Sequence, residues 1–405
     1  MRTPRPYHVG VPRSFLDDLP ELVDDANDAM IATRHHLHAH PELSFQEYQT
    51  TNAIRTRLTE LGWSLAPCPT ETGAVATLSG GRPGRRVMLR ADIDALPVTE
   101  ERDVGYRSLS DGVMHACGHD VHTAGLLGVA DVLARRRADL AGEYTLVFQP
   151  AEEGLGGAAA MIAGGLLTQN PADVVLGVHV TSQAPVGIVA SRAGIFMSGA
   201  DSLSIEINGV GGHGAMSTSR GNVVLAASAL APRVSETIAG LDFEGTNCAC
   251  SIGVLKAGTK NNVVPRRAVL EGTLRTFSTD QRALALTRLA SLLVEIEDEF
   301  GVSITLGLGE NVPAVVNDSA VVSRVMAQAG AVVGESKVLT VPPVTPSDDM
   351  AEYLTRVPGA YLFVGGALAD GTSGMHHAPD FAIDDAALSV ICGVLSAAAV
   401  ELAEA

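Results

Sequence analysis

The sequence predicts an α/β protein of two domains: a largely parallel sheet flanked by helices, and an inserted α+β ferredoxin-like domain. Helix and strand signals alternate from about residue 14 to 190, which is typical of a parallel sheet with helices on both faces. The pattern changes between about 192 and 308, and the alternation resumes after 310. A chain of 405 residues also favours two domains over one. We therefore expect an outer domain of residues 1–191 and 309–405 and an inserted domain of residues 192–308.

The outer domain contains short apolar runs bounded by turn signals, which predict buried strands. Ser44–Glu47 has the pattern of a capping box, and it predicts the start of a helix that ends near Gly62. A helix is expected over about 384–403, at the end of the domain. The predicted strands are 87–90, 144–148, 174–178 and 360–364.

The inserted domain has a different order of elements. Residues 202–208 alternate between apolar and polar side chains, as a half-exposed strand does. The order that follows is β-α-β-β-α-β, which is the ferredoxin-like unit. Its further elements are a helix at about 221–240, strands near 247–256 and 267–277, a helix at about 279–299 and a strand at 302–306.

Composition and charge exclude several classes of function. The net charge of −18 leaves no basic surface for nucleic acid. No apolar run reaches about 18 residues, so a membrane span is not expected. The first 15 residues lack the apolar segment of a secretory signal. The five cysteines are odd in number and irregularly spaced, which favours the reducing cytoplasm over a disulfide framework.

Acidic and histidine side chains follow three of the predicted strands. Asp92 and Asp94 follow the strand at 87–90, Glu152 and Glu153 follow the strand at 144–148, and His179 follows the third. Ligands bind at the carboxyl ends of the strands in open α/β sheets. The convergence of these residues therefore predicts the site at this edge.

Cys117 and His119 lie two residues apart in a loop and add sulfur and nitrogen ligands to this set. Together with Glu153, His179 and one of His376 or His377, they give five ligands. Five is one too many for a single tetrahedral zinc site with an open position, but it suits two metal ions that share a bridging ligand. The alternative is that the histidines are structural and fully hydrogen-bonded.

Glu152 and Glu153 are adjacent on a turn, so their side chains point in different directions, and one carboxylate can bind a metal ion while its neighbour acts as the general base. The alternative is a solvated acidic turn before a helix, where carboxylates are favourable in any case. Asp94 could orient a ligand histidine.

The inserted domain contributes three further candidates. His213 lies in a glycine-rich turn and could donate a hydrogen bond to a developing oxyanion, or it could be a surface histidine. Asn262 and Arg275 could bind a substrate carboxylate. The early polar segment 38–42 is interpreted as structural.

Eight motifs occur in order along the chain. They are RADIDALP (90–97), MHACGHD (114–120), VFQPAEEG (147–154), GVHV (177–180), GGHGA (211–215), NVVP (262–265), VPGAYLFVG (357–365) and HAPDF (377–381). Together they resemble one known family, the amidohydrolase branch of the dinuclear metallopeptidases. This branch includes N-acyl amino acid amidohydrolases, hippurate hydrolases and indole-acetyl-amino-acid hydrolases.

The resemblance implies that the outer domain is catalytic and that the inserted domain is a lid and a dimerisation surface. It implies two divalent metal ions per subunit, of zinc, manganese, cobalt or nickel, and a homodimer or higher homo-oligomer. By position, it implies Glu152 as the general base, His213 as the oxyanion donor, and Asn262 and Arg275 near the substrate. The implied metal ligands are Cys117, His119, Glu153, His179 and His377. The doubled His376-His377 leaves the last ligand ambiguous, and the spacing to Pro379 favours His377.

The expected reaction is metal-dependent hydrolysis of the amide bond of a small N-acyl amino acid of the acetyl, benzoyl or arylacetyl type. One alternative is a dipeptidase or aminopeptidase on the same scaffold. A second is a catalytically silent metal-binding protein. A third, a cysteine hydrolase using Cys117 and His119, is disfavoured because the spacing directs both side chains at a common ion.

Overall fold

The computed structural model describes residues 13–154, 156–243 and 246–404. The α-helices are α1 (Arg13–Ala39), α2 (Tyr48–Glu60), α3 (His119–Arg135), α4 (Gly157–Ala163), α5 (Leu166–Gln169), α6 (Val223–Ala239), α7 (Thr279–Phe300), α8 (Ser319–Val333), α9 (Met350–Leu354) and α10 (Ala386–Ala403). Short 3-10 helices cover Arg137–Asp139, Gly214–Met216 and Glu335–Lys337.

The strands of the chain form one large sheet and several small ones. In order they are β1 (Ser64–Ala66), β2 (Ala74–Ser79), β3 (Arg82–Asp92), β4 (Ala141–Gln149), β5 (Val174–Pro185), β6 (Val189–Ser191), β7 (Gly194–Met197), β8 (Gly199–Asn208), β9 (Gly212–His213), β10 (Asp242–Phe243), β11 (Thr246–Asn247), β12 (Ala249–Ala257), β13 (Val263–Val264), β14 (Arg267–Thr276), β15 (Ser303–Val312), β16 (Val315–Asn317), β17 (Val338–Thr340) and β18 (Gly359–Ala367).

The chain forms two compact units. The first comprises residues 1–194, 316–342 and 352–405, and the second comprises 195–315 and 343–351. The segment 343–351 was predicted from the sequence to belong to the outer domain. In the structure the backbone N–H of Val344 donates to the carbonyl of Phe196, and this bond ties the segment to the second unit.

The first unit is built on an eight-stranded sheet with the order β1-β2-β4-β3-β5-β18-β6-β17. The central neighbours β4, β3, β5 and β18 run parallel. Antiparallel pairing joins β1 to β2, β2 to β4 and β18 to β6. The helices pack against this sheet, so the structure confirms the predicted mostly parallel α/β class.

The helix α10 forms the centre of the first unit's core and packs against α1, α3 and α8. Within the described part of the chain, it is the one helix long and apolar enough to cross a membrane, with a mean hydropathy of 2.0. No such segment was predicted from the sequence, because Ser389, Ser396 and Glu401 interrupt the apolar run. Since 83% of the helix is buried inside the protein, its composition is that of a core helix.

The second unit contains a four-stranded antiparallel sheet with the order β12-β14-β8-β15. Along the chain these strands and the helices α6 and α7 follow the predicted order β-α-β-β-α-β. The two helices pack against the sheet and cover a separate apolar core that includes Ile205, Leu270 and Leu289. Cys248 and Cys250 are buried members of this core.

The predicted capping box at Ser44–Glu47 is not formed. The helix α2 begins at Tyr48, and Glu47 makes no side-chain bond to its first turn. The Ser44 hydroxyl donates instead to Asp94, at 2.7 Å. Both side chains are used in longer-range contacts, which a local sequence pattern does not reveal.

Candidate metal centre

The parallel strands β3, β4 and β5 end together and carry the predicted acidic and histidine residues to one edge. In the register of the sheet, Asp92 pairs with Gln149, and Arg90 pairs with Gly177. The turn after β4 directly follows Gln149 and therefore lies at the level of Asp92. His179 lies two residues beyond Gly177 and reaches the same level. The helix α3 begins at this edge, immediately after Cys117 and Gly118.

Cys117 lies between two histidines. Its Sγ is 3.5 Å from Nε2 of His179 and 3.7 Å from Nδ1 of His376. Nδ1 of His179 donates to the carbonyl of Val180 at 2.6 Å, which leaves the Nε2 lone pair directed towards the sulfur. Burial and the neighbouring rings of His122 and His376 hold the pKa of His179 well below its usual range, so the ring is neutral and can act as a ligand.

His119 is fully buried and is held by one of its nitrogens. Nδ1 contacts Oδ1 of Asp94 at 3.2 Å, and Nε2 has no hydrogen-bond partner among the residues that the structure describes. Nε2 is 4.0 Å from Glu152 Oε2 and 4.0 Å from Glu153 Oε1. A buried nitrogen without a partner is costly unless another ligand occupies the space it faces.

The turn that carries Glu152 and Glu153 is fixed by Asp94, whose two carboxylate oxygens accept their backbone N–H groups at 3.1 and 3.0 Å. Glu153 Oε1 is 3.2 Å from Nε2 of His377, but it has no hydrogen-bond partner within the described ranges. Two ligands of the same metal ion also approach each other closely without a hydrogen bond between them. The pair Glu153 and His377 has this arrangement.

The charge of this cluster fits a divalent cation. Burial and the carboxylates of Glu153, Glu152 and Asp92 raise the pKa of the Cys117 thiol well above its usual value. Burial alone would lower the pKa of His119, but Asp92, Asp94 and Glu153 raise it to about 10. The site therefore favours positive charge, and a cation would stabilise the thiolate and replace the proton on His119. The mixed sulfur, nitrogen and oxygen donors suit a borderline metal such as zinc.

Groups of ligand atoms that lie within 4.8 Å of one another include Cys117 with His119 and His179, and Cys117 with Glu153 and His377. A third group contains His119, Glu152 and Glu153. The structure thus brings the sequence-predicted residues of the first unit together. His376 and His377 both lie beside Cys117.

His122 belongs to the same cluster, in a group with Asp92 and His119, but it was not among the predicted site residues. His122 lies three residues after His119 on α3, so the helical period places both rings on one face. That spacing is the signal that could have identified it. Arg90 donates to Asp92 at 2.6 Å and supplies a buried counter-charge.

The remaining predicted residues lie in the second unit. His213 on β9 pairs with Val263 on β13, and its Nδ1 accepts the N–H of Ala215 at 3.2 Å. The carbonyl of Asn262 accepts the N–H of Gly214 at 2.9 Å, so His213 and Asn262 belong to one loop pair. Arg275 on β14 instead donates to the segment 345–347, through Thr345 O and Ser347 Oγ.

Comparison with known proteins gives the same family from sequence and from structure. Residues 88–401 match the model of peptidase family M20/M25/M40. The chain is 36% identical over 381 residues to an N-acetyl-L-cysteine deacetylase of Bacillus subtilis, covering 92% of this chain and 89% of that protein. It is 35% identical over 355 residues to thermostable carboxypeptidase 2 of Saccharolobus solfataricus, covering 87% and 89%.

Among solved structures, a dinuclear metal binding peptidase of the M20 family from Bacillus subtilis superimposes with a TM-score of 0.80 at 30% identity. The match covers 93% of this chain and 98% of that one. The metal-ligating cluster and these similarities lead to one conclusion: the chain belongs to peptidase family M20/M25/M40 and is a metal-dependent amidohydrolase.

Proposed function

We propose that this enzyme hydrolyses the amide bond of small N-acyl amino acids and releases a carboxylic acid and a free amino acid. The observation that carries the proposal is the position of Glu152: its carboxylate lies 4.0 Å from the unpartnered Nε2 of His119, on the same turn as Glu153. A base beside a metal centre is what the attack of water on an amide requires. The deacetylase named above acts on a substrate of this class.

Five residues would hold two divalent ions: Cys117, His119, Glu153, His179 and His377. Cys117 lies in one ligand group with His119 and His179 and in a second with Glu153 and His377, so its thiolate would be a ligand in either group. When bound, zinc, manganese, cobalt or nickel at this position supplies Lewis acidity, which polarises the acyl carbonyl and lowers the pKa of the attacking water.

Glu152 accepts a proton from the water as its oxygen attacks the acyl carbon. The resulting tetrahedral centre collapses when the C–N bond breaks, and Glu152 returns the proton to the leaving amine. His213 would donate a hydrogen bond to the oxyanion, because its Nδ1 is already an acceptor and a neutral ring then carries its proton on Nε2. Asn262 and Arg275 would bind the substrate carboxylate.

The acyl group of the substrate would be of the acetyl, benzoyl or arylacetyl type, and the protein would act as a homodimer or higher homo-oligomer. We also propose a cytoplasmic location, since all five cysteines, three of them in apolar cores, are free thiols.

A dipeptidase or aminopeptidase on the same scaffold is the second candidate, because one relative is named as a peptidase, a thermostable carboxypeptidase. Turnover of N-acetyl and N-benzoyl amino acids, compared with dipeptides of the same residues, distinguishes the two activities. A panel without any turnover in the presence of added metal would favour a silent metal-binding protein.

Glu152→Gln tests the proposed role of the base. We expect it to bind the same number of metal ions as the wild type and to lose hydrolysis of N-acyl amino acids by a factor of about 10²–10⁴. Glu71→Gln, a change of the same kind at an exposed loop position, serves as the control. Turnover near the wild-type rate in Glu152→Gln would remove Glu152 from the mechanism.

A further inference from the structure

Within the part of the chain that the structure describes, strained backbone at non-glycine positions is confined to the surroundings of the metal centre. Among the described residues, positive φ angles at non-glycine positions occur at Phe45 (59°), Ala151 (57°) and His377 (66°). Ala151 directly precedes Glu152, and Phe45 follows Ser44, whose hydroxyl donates to Asp94. Such conformations persist only where the surrounding structure imposes them.

One buried carboxylate imposes two of these three conformations. Oε1 of Glu47 accepts the backbone N–H of Phe45 at 3.0 Å and that of Ala151 at 2.9 Å. Its Oε2 accepts the hydroxyl of Thr72 at 2.7 Å, and Glu47 has an exposed fraction of 0%. The side chain therefore joins the turn before α2 to the turn that carries the proposed base.

Glu47 and Asp94 together bind a continuous stretch of backbone. The N–H groups of Ala151, Glu152 and Glu153 donate in turn to Glu47 Oε1, Asp94 Oδ1 and Asp94 Oδ2. Successive amides that converge on an anion form a concave site, and an αL residue is part of the usual geometry of such a site. Here the anions are two buried carboxylates of the protein itself.

We propose that Glu47 is a positioning residue for the hydrolysis, which holds Ala151 in its left-handed conformation and thereby sets the position of the Glu152 carboxylate. This inference rests on the proposed role of Glu152. Asp94 fixes the amides of Glu152 and Glu153, but the direction in which the chain enters this turn depends on φ of Ala151. Without the acceptor at Glu47, Ala151 would relax towards negative φ and would displace Glu152.

The side chain of Glu47 makes no hydrogen bond to the first turn of α2, but the side chain of a neighbouring residue does. Oε1 and Oε2 of Glu42 accept the N–H groups of Gln49 and Thr50 in the first turn of that helix. Glu42 thus binds two backbone amides, as Glu47 does, but neither belongs to the turn at Ala151. It provides a matched control for the removal of a carboxylate in this region.

The test measures kcat, KM, melting temperature and bound metal in four variants. We expect Glu47→Ala to lower kcat by about 10- to 100-fold, with a small change in KM and with the metal content retained at saturating metal. Glu47→Gln, which keeps an oxygen acceptor for both amides, should remain within a few-fold of wild-type kcat. Glu42→Ala should lower the melting temperature and leave kcat within a few-fold.

The double variant Glu47→Ala/Ala151→Gly tests the link through the backbone. Glycine adopts positive φ without steric cost, so it should recover part of the lost kcat, whereas a general loss of folding would not be recovered. If Glu47→Ala is insoluble, Glu47→Asp with and without Ala151→Gly allows the same comparison, because the shorter side chain withdraws the acceptor.

Three outcomes would overturn the inference: wild-type kcat in Glu47→Ala, an equal loss of kcat in Glu42→Ala, or no recovery with Ala151→Gly. Failure of the proposed function gives a different result, because Glu152→Gln would then retain turnover. An inactive Glu152→Gln beside a fully active Glu47→Ala would remove only the positioning role.

Discussion

Nε2 of His122 accepts a hydrogen bond from the backbone N–H of Val180 at 2.8 Å. Since this nitrogen is an acceptor, the proton of the neutral ring lies on Nδ1, which donates to Asp92 at 2.5 Å. Both nitrogens are engaged, so His122 is a structural residue of the metal centre, although its distance from His119 alone would allow it to be a ligand.

We therefore predict that His122→Ala retains the wild-type number of metal ions, whereas His119→Ala loses metal. Removal of the ring deprives the N–H of Val180 and the Asp92 carboxylate of one hydrogen-bond partner each. This loss should lower the free energy of unfolding by about 1–3 kcal/mol. Denaturant titration and metal analysis by mass spectrometry measure the two effects. Loss of a metal ion from His122→Ala would show that its ring is a ligand.

Cys117→Ala should weaken metal binding strongly. Substitution of a residue that only hydrogen-bonds to a metal ligand lowers metal affinity by roughly 10- to 100-fold, and we expect the loss of Cys117 to exceed that. The thiol lies 3.5 Å from His179 and within the group that contains Glu153 and His377, so its loss affects both ends of the cluster. Competition with a chelator gives the affinity. Cys250→Ala removes another buried thiol, in the core of the second unit, and should leave metal content unchanged. Equal affinity in Cys117→Ala and the wild type would contradict the prediction.

The pair His376 and His377 can be separated by the same measurement. His377 lies with Cys117 and Glu153 in one group, while the ring of His376 packs against Phe381 with centroids 4.8 Å apart. We expect His377→Ala to lose metal and His376→Ala to retain the stoichiometry with a lower melting temperature. The reverse pattern would transfer the last ligand position to His376.

The stability of the first unit should fall at alkaline pH because of His38. Burial alone would lower its pKa, but Asp120 and Glu100 raise it to about 9. A raised pKa stabilises the folded state fully below the unfolded value of about 6.5, and this stabilisation, up to about 3 kcal/mol, is lost as the pH rises through 9.

Melting temperatures between pH 6 and pH 10 test this dependence. The decline above pH 7 should be smaller in His38→Gln than in the wild type and in the exposed control His36→Gln. Parallel curves for all three proteins would show that another group causes the decline.

The fold follows from the sequence where a segment's own pattern determines its structure. The apolar runs at 87–90, 144–148 and 174–178 lie within β3, β4 and β5, because strands buried on both faces need continuous apolar side chains. The cluster at the strand ends followed from the same topology, since parallel strands bring their carboxyl ends to one edge.

The sequence could not predict contacts between residues whose local pattern indicates another role. Ser44 and Glu47 have the spacing of a capping box, yet Glu47 binds Ala151, 104 residues away. Likewise, the structural role of His122 follows from its hydrogen bond with the backbone N–H of Val180, which lies on β5 and not on the helix that carries His122. Such pairings depend on tertiary geometry, and no periodicity in the chain encodes them.

The position of α10 in the core also determines the order in which the chain can fold. The strands β8, β12, β14 and β15 are all synthesised before α10, so the second unit has most of its residues while the first unit still lacks its central helix. Until α10 reaches α1 and α3, their apolar faces remain exposed to solvent and to other nascent chains. We expect this late, long-range docking step to be the slowest part of folding.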